Sequence, residues 1–314
     1  MPRISAFADE IGPDLDEQLR VLRENRIGLI ELRSVWGKNV LQLSAREIRD
    51  IRHAADAEGV GFSAIGSPLG KYPIGDPIEP QLEGLKLAVE YAQVLDAPYI
   101  RLFSFWIPRG ESPDAHRSAV LDRLEAFVEV ARGSGVRLAH ENERGIYGDT
   151  SVRCRDLLDS LDPEVFVGIF DFANFPREED RWTAWERLRD RIAYFHIKDV
   201  DFERNRVVPA GQGDGKIEPI LRDAYARGFD GFLTLEPHLR EEFGATGAER
   251  FRAAAVGAPG SAPADRRGRL APRGDHPSWE RTRPASGERN RGGSAATTVI
   301  PNSSYSTCST RPCS

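Results

Sequence analysis

The sequence is poor in sulfur and in histidine. Its 314 residues include three cysteines, one methionine and six histidines. The cysteines, Cys154, Cys308 and Cys313, are too few and too unevenly spaced for the disulfide framework of a small secreted domain. We therefore expect a reduced, cytoplasmic setting for this protein.

Long apolar runs are absent as well. No stretch approaches the ~20 consecutive apolar residues that a membrane-spanning helix requires. The first segment, Met1–Phe7, enters a strand-like run at once, without the charged and apolar regions of a signal peptide. These absences predict that the protein has no membrane partner.

Positive charge is the minority charge in this chain. Lysine and arginine together number 43 against 49 aspartates and glutamates, which gives a net charge of −6. A nucleic-acid-binding protein usually presents a basic face, so this balance argues against a nucleic-acid partner. Hydrophobic residues make up 40% of the chain, which is enough for one large domain with a substantial core.

The chain is built from short apolar runs that alternate with amphipathic segments. Leu15, Leu19 and Leu22 recur at helical spacing, and Ser44 followed by Glu47 is typical of a helix-capping box. Eight such alternations predict an α/β protein with the (β/α)8 TIM-barrel fold. A doubly wound open sheet lacks support, because no Gly-x-Gly-x-x-Gly turn follows the first run. The predicted strands are Ile4–Ala8, Leu29–Leu32, Gly61–Ile65, Tyr99–Phe103, Val136–Glu141, Phe166–Asp171, Ile192–Ile197 and Gly231–Leu235.

This alternation stops near Ala255. From Val256 to Ser314 the chain contains nine arginines, no lysine and four acidic residues, and apolar periodicity does not return. We predict one barrel domain over residues 1–255 and a low-complexity, basic, disordered tail over residues 256–314. The abrupt change within the eighth helical segment suggests that the tail is the product of a frameshift near Val256. A natural basic tail is the alternative.

Four of the predicted strands have, at or directly beside their last residue, a side chain that commonly binds metal. These residues are Glu141, Asp171, His196 and Glu236. The carboxyl ends of the strands meet at one rim of a (β/α)8 barrel, so these side chains are expected to converge. A single carboxylate at a strand end often caps a helix or forms a salt bridge, but four candidates in succession favour a metal site. Oxygen ligands with one histidine favour one divalent ion such as Mn²⁺, Mg²⁺, Co²⁺ or Zn²⁺.

The segments around these residues resemble the xylose isomerase-like TIM-barrel superfamily, and within it the sugar phosphate isomerase/epimerase branch. They read HENE from His140, FDFAN from Phe170, FHIKD from Phe195 and LEPH from Leu235. The resemblance extends over about residues 3–255. It implies that all four strand-end residues bind the metal. It also implies that Glu141 and Glu236 serve as acid and base on opposite faces of the substrate.

The activity implied is that of a metal-dependent isomerase or epimerase of a sugar, a sugar phosphate or a related polyol ketone. A proton leaves a carbon beside a carbonyl group, and the metal stabilises the resulting enediolate. An inosose-type dehydratase with the same chemistry and a non-catalytic carbohydrate-binding barrel are the alternatives. Six histidines and an acidic barrel disfavour the superfamily's endonuclease IV type, which uses a trinuclear zinc cluster. The oligomeric state stays open, a homo-oligomer included.

Three residues near the predicted rim are candidates for substrate contacts. Glu143 lies two positions after Glu141 and therefore on the same face of the strand, although an ion pair is an equal alternative. Lys198 shares a face with His196 by the same alternation, and it suits an enolate or a phosphate, or else a buried salt bridge. Glu31 ends the second strand, where a structural role and a substrate contact are equally expected.

Asn174 is a fourth candidate for a substrate contact. It stands three residues after Asp171, where some epimerases of the superfamily carry a substrate-binding histidine. Phe202 stands six residues after His196, in a region where an arginine is common in those proteins. These departures argue against a free-ketohexose epimerase and leave the dehydratase open. Arg101 on the fourth strand is expected to belong to the polar layer of the barrel.

Overall fold

Eight parallel strands close into a barrel in the computed structural model, which describes residues 3–257. The strands are β1 Arg3–Ala6, β2 Leu29–Leu32, β3 Gly61–Ile65, β4 Tyr99–Leu102, β5 Arg137–Glu141, β6 Phe166–Asp171, β7 Ile192–Ile197 and β8 Phe232–Leu235. Each strand pairs with the next along the chain, and β8 pairs with β1 to complete the ring. Within the described residues, each barrel strand therefore has two neighbours and no free edge. The (β/α)8 fold predicted from the sequence is confirmed.

Within residues 3–257, eight α-helices alternate with the strands and pack on their outer faces. In the first helix, Leu15, Leu19 and Leu22 are buried, as their spacing predicted. The capping box of the second helix also forms: the Ser44 N–H donates to the Glu47 carboxylate at 2.7 Å, and the Glu47 N–H donates to Ser44 Oγ at 3.2 Å. The helices are α1 Leu15–Glu24, α2 Ala45–Ala57, α3 Glu79–Leu95, α4 Arg117–Ala131, α5 Ser151–Ser160, α6 Arg181–Leu188, α7 Ile217–Ala226 and α8 Gly247–Gly257.

The interior of the barrel changes from apolar to charged toward the carboxyl ends of the strands. Ala139 on β5, Ile169 on β6 and Tyr194 on β7 belong to one small buried apolar cluster. Side chains alternate between the two faces of a strand, so residues two positions apart point the same way. The residue two positions after each of these three is a predicted metal ligand. The strand register therefore directs those ligands into the barrel.

Strand β1 differs most from its prediction. The sequence predicts Ile4–Ala8, whereas the strand ends at Ala6 and the chain turns into a short 3₁₀ helix at Ala8–Glu10. The Phe7 N–H still donates to the Leu235 carbonyl oxygen at 3.0 Å, which keeps Phe7 at the rim between β1 and β8. The other seven strands agree with the sequence prediction to within one residue at each end.

Two short hairpins extend the loops after β2 and β7. They pair Ser34–Val35 with Lys38–Asn39, and Asp199–Asp201 with Arg206–Val208. The sequence did not reveal them, because strands of two or three residues are too short to show a hydrophobic period. Both hairpins lie at the carboxyl ends of the barrel strands, so they add to the loops around the predicted site.

The predicted disordered tail, 256–314, and the frameshift proposed for it lie outside the described residues, apart from the end of α8, and stay predictions. No helix within residues 3–257 is both long enough and apolar enough to cross a membrane.

Gly70 occupies a position where a side chain has no room. Its φ is +77°, and an added Cβ would lie 2.0 Å from the carbonyl oxygen of Phe103, just beyond β4. The left-handed φ and the clash with the Phe103 carbonyl oxygen both disfavour any larger residue at this position. We expect Gly70→Ala to lower the free energy of unfolding by about 2 kcal/mol, measured by urea denaturation.

Gly75→Ala is the matched control, since nothing lies within 4 Å of a Cβ built there. Its unfolding free energy should stay within about 0.5 kcal/mol of the parent value. Equal unfolding free energies for the two variants would contradict the steric argument at Gly70.

Candidate metal centre

The four predicted ligands converge at the carboxyl end of the barrel. Glu141, Asp171, His196 and Glu236 each contribute one ligand-type atom, and these atoms all lie within 4.8 Å of one another. All four side chains are buried. Three come from the last residues of β5 and β6 and the penultimate residue of β7, and Glu236 directly follows β8. The sequence therefore identified a real spatial cluster, while its role as a metal site stays a prediction.

The buried carboxylate of Glu31 orients the His196 ring. Its Nε2 lies 3.2 Å from Glu31 Oε2, and the Tyr194 hydroxyl donates to Glu31 Oε1 at 3.2 Å. A carboxylate only accepts, so Nε2 carries the hydrogen and Nδ1 is directed into the cluster. Among the described residues, Nδ1 is a buried atom without a hydrogen-bond partner. A metal ion is the kind of group that such an atom binds.

The carboxylates around His196 create an excess of buried negative charge. Burial alone would lower the pKa of His196, but Glu141 and Glu31 raise it to about 10. Burial raises the pKa of Asp171 to about 7; Lys198 partly offsets this rise, and repulsion from Glu236 and Glu141 adds to it. The cluster therefore attracts a cation, and a proton on His196 competes with a metal ion for the same place.

Glu141 is held in its ionised form. Burial would raise the pKa of its carboxyl group, but His196 and Arg101 lower it to about 2. Asn174 Nδ2 donates to Glu141 Oε1 at 3.1 Å and also to the carbonyl oxygen of Asn142. Asn174 is therefore part of the site, in contact with a predicted base. Its predicted contact with a substrate stays a prediction.

Lys198 bridges two of the predicted ligands. Its Nζ lies 2.8 Å from Asp171 Oδ2 and 3.1 Å from Glu236 Oε2. Burial would lower the pKa of Lys198, but Asp171 and Glu236 raise it, so the ammonium form is retained. The sequence left a substrate contact and a buried salt bridge open for Lys198, and the structure shows the salt bridge.

Glu31 and Glu143 differ in their distance from the cluster. Glu31 is fully buried, and both of its oxygens are engaged by His196 and Tyr194. This placement favours an orienting role for Glu31 over the predicted substrate contact. Glu143 lies further out on the rim and forms an ion pair with Lys71 at 2.9 Å, which leaves its predicted substrate contact open.

His238 belongs to the site, although sequence patterns do not predict where its side chain lies. Its Nε2 lies 3.2 Å from Glu236 Oε1, and its Nδ1 lies 2.8 Å from Glu10 Oε1. Burial would lower the pKa of His238, but bonds to Glu10 and Glu236 raise it to about 9. It follows Glu236 by two positions, a signal obscured by the intervening Pro237. Glu10, Glu236 and His238 form a second group with metal-ligand spacing.

Comparison with known proteins supports the fold and the family. A sequence profile of the xylose isomerase-like TIM barrel family matches residues 20–255. Among curated proteins, the chain is similar to fructoselysine 3-epimerase of Shigella flexneri, with 23% identity over 159 residues. The aligned segment covers 49% of this chain and 58% of that epimerase, so the chain spans little more than half of the relative's length.

Solved structures share the barrel at low identity. The probable 3-DHS dehydratase AsbF from Bacillus anthracis has a TM-score of 0.65 and 16% identity, covering 82% of this chain and 98% of its own. The 3-keto-D-glucoside 4-epimerase from E. coli has a TM-score of 0.63 and 20% identity, covering 82% and 100%. A magnesium complex of a xylose isomerase-like TIM barrel protein from Mycobacterium smegmatis has a TM-score of 0.60 and 18% identity, covering 81% and 96%.

Identities this low establish the shared fold and nothing finer. The family profile goes further, because it spans β2 to β8 and includes every residue of the four-ligand cluster. The resemblance inferred from the strand-end motifs is confirmed. The chain belongs to the xylose isomerase-like TIM barrel family.

Proposed function

We propose that this protein is a divalent-metal-dependent isomerase or epimerase of a sugar or a related polyol ketone. The observation that carries the proposal is the arrangement of Glu141 and Glu236 around His196. One oxygen of Glu141 lies 3.3 Å from His196 Nδ1, and one oxygen of Glu236 lies 3.5 Å from it. Two carboxylates at one centre suit a reaction that removes a proton from a substrate carbon and returns it from the other side.

A divalent ion fits the donor set of this centre. Glu141, Asp171, His196 and Glu236 would hold it through three carboxylates and one imidazole, a combination that suits Mn²⁺, Mg²⁺, Co²⁺ or Zn²⁺. When bound, such an ion would polarise the substrate carbonyl and stabilise the charge of an enediolate. The magnesium complex of the related M. smegmatis protein supports this proposal.

The neighbouring side chains prepare the two carboxylates for proton transfer. Burial would raise the pKa of Glu236, but Lys198 and the two nearby histidines lower it, as His196 and Arg101 do for Glu141. Both glutamates are therefore ionised at neutral pH and able to accept a proton. A carboxylate with a low pKa is a weak base, so its position relative to the substrate must supply much of the rate.

Aromatic side chains at the rim support a carbohydrate substrate. Trp36 and Trp106 lie in the loops after β2 and β4, and their exposed fractions are 41% and 45%. Indole rings present apolar faces that suit the C–H face of a sugar, with an N–H at the edge. The names of two related proteins, fructoselysine 3-epimerase and 3-keto-D-glucoside 4-epimerase, also support a small carbohydrate partner.

The metal proposal predicts that the dialysed protein binds one Mn²⁺ and that Asp171→Asn weakens this binding at least ~10-fold. The reason is that the variant replaces a charged ligand with a neutral amide. Isothermal titration calorimetry measures both affinities. Asp156→Asn is the control, because that carboxylate bonds Arg117 and Tyr147 instead. No Mn²⁺ binding by the parent protein, or equal affinity in Asp171→Asn, would count against the site.

The acid/base proposal predicts that Glu141→Gln and Glu236→Gln each lower turnover by ~10³-fold. An amide keeps the shape of the side chain but cannot accept the substrate proton. Solvent-deuterium exchange into a ketose panel, at Mn²⁺ concentrations that saturate each variant, measures the rate. Glu58→Gln, whose carboxylate pairs with Arg23 between the first two helices, should keep the parent rate. Full activity in either site variant would falsify the assignment.

A dehydratase is the second candidate, and the likeness to the probable 3-DHS dehydratase AsbF favours it. A dehydratase also needs an acid for the departing hydroxyl group. His238 offers one, since its pKa is raised to about 9 next to Glu236. One of the same two glutamates would then start the reaction by removing the substrate proton, and the two reactions would diverge after that step.

Reaction in D₂O distinguishes the two candidates. An epimerase or isomerase places solvent deuterium on a substrate carbon and keeps every hydroxyl group, whereas a dehydratase releases water and forms an enone or diketone. We expect deuterium with a retained hydroxyl count, detected by mass spectrometry over a panel of ketoses and inososes. Loss of water together with a new ultraviolet absorbance would assign the dehydratase instead.

A further inference from the structure

Two arginines hold the outer oxygens of the two proposed bases. Arg101 Nη1 donates to Glu141 Oε2 at 3.2 Å, and Arg33 Nη1 donates to Glu236 Oε1 at 3.1 Å. The inner oxygens, Glu141 Oε1 and Glu236 Oε2, are the ones that face His196 Nδ1. In both glutamates, one carboxylate oxygen therefore accepts from a guanidinium and the other faces His196 Nδ1.

Both guanidinium groups are themselves fixed by further bonds. Arg101 also donates to the carbonyl oxygens of Ser67 and Gly66, at 3.3 Å and 3.0 Å. Arg33 donates from Nε to Asp9 Oδ2 at 2.8 Å. A guanidinium is a rigid fork that can reach several acceptors in set directions, whereas a lysine ammonium is a mobile point charge. The geometry therefore uses the shape of arginine as well as its charge.

The Phe7 ring lies against both arginines. The guanidinium carbons of Arg33 and Arg101 lie 4.3 Å and 4.9 Å from the ring centroid, and the His196 ring meets it edge-on at 5.1 Å. Phe7 is fully buried, and a Cβ at Gly66 would come within 2.9 Å of its Cε1. One closely packed ring thereby contacts the metal-ligand histidine and both arginine anchors, with cation–π attraction adding to the packing.

We infer that Arg33 and Arg101, packed against Phe7, are positioning residues that fix the two glutamates around the centre. Neither arginine belongs to the ligand set, and each acts through the carboxylate that it holds. The inference rests on the proposed function, because it gives the glutamates the roles stated above. This positioning role differs from charge neutralisation alone, because a lysine would neutralise a glutamate equally well without fixing the direction of its carboxylate.

Arg33→Lys and Arg101→Lys test the inference, because each keeps the charge and loses the fork. We expect each variant to lower kcat for deuterium exchange at least ~10-fold with little change in KM, and to weaken Mn²⁺ binding by ~10-fold. Arg153→Lys is the control: Arg153 bonds the Tyr147 carbonyl oxygen and Asp149, and its side chain is 22% exposed against 21% for Arg33. Parent values of kcat and Mn²⁺ affinity in both lysine variants would overturn the inference.

Phe7→Leu tests the contribution of the ring, with Phe127→Leu as its control. Both phenylalanines are fully buried, but Phe127 lies on α4 and packs against Phe105. Similar losses of Tm are expected, and only Phe7→Leu should weaken Mn²⁺ binding. Equal Mn²⁺ affinities in the two leucine variants would remove Phe7 from the unit.

The two readouts separate this inference from the proposed function. Absence of exchange by the parent protein on every ketose would defeat the proposed function. The Mn²⁺ affinities would still decide the positioning role, because both glutamates are ligands in the proposed site. Weaker binding in the lysine variants supports the inference, and unchanged binding opposes it.

Discussion

The structure of the rim depends on one constraint, the burial of several carboxylates at the end of a hydrophobic barrel. Glu31, Glu141, Asp171 and Glu236 are each at most 3% exposed. A buried carboxylate without a partner costs several kcal/mol, so every one of them must be compensated. Lys198 and the two arginines supply three positive charges against these four carboxylates, and the negative charge that remains is balanced by a proton on His196 or by a bound cation. The metal-binding potential and the dense ion-pair network are therefore two results of the same burial.

The fold and the ligand cluster could be predicted because both depend on local sequence. Eight apolar runs identify eight strands, and a polar residue at the end of an inward-facing run identifies a rim position. Alternation along a strand then gives the direction of Glu141, Asp171 and His196 without any knowledge of tertiary contacts. The family resemblance rests on the same strand ends, which explains why the fold and the convergence of these four side chains could be predicted together.

The partners of these ligands could not be predicted, because they depend on how the barrel closes. Arg33 and Glu236 are 203 residues apart in sequence, yet they form an ion pair across the joint between β8, β1 and β2. Glu31 was predicted near the end of its strand, but only the structure shows that His196 Nε2 bonds its carboxylate. His238 depends on a left-handed backbone at φ 44°, which sequence patterns do not indicate for a histidine after a proline.

The closed ring divides the site between two halves of the molecule. All four candidate ligands come from the second half, β5 to β8, whereas Arg33, Arg101 and Phe7 come from the first half, β1 to β4, or its adjoining loops. A fragment with β5 to β8 alone would carry a complete ligand set whose glutamates have lost both of their guanidinium partners. Occupancy of the centre is thereby linked to the docking of one half-barrel on the other. Because the arginines of the first half orient two of the ligands, a bound ion would favour the closed ring over any partly opened form.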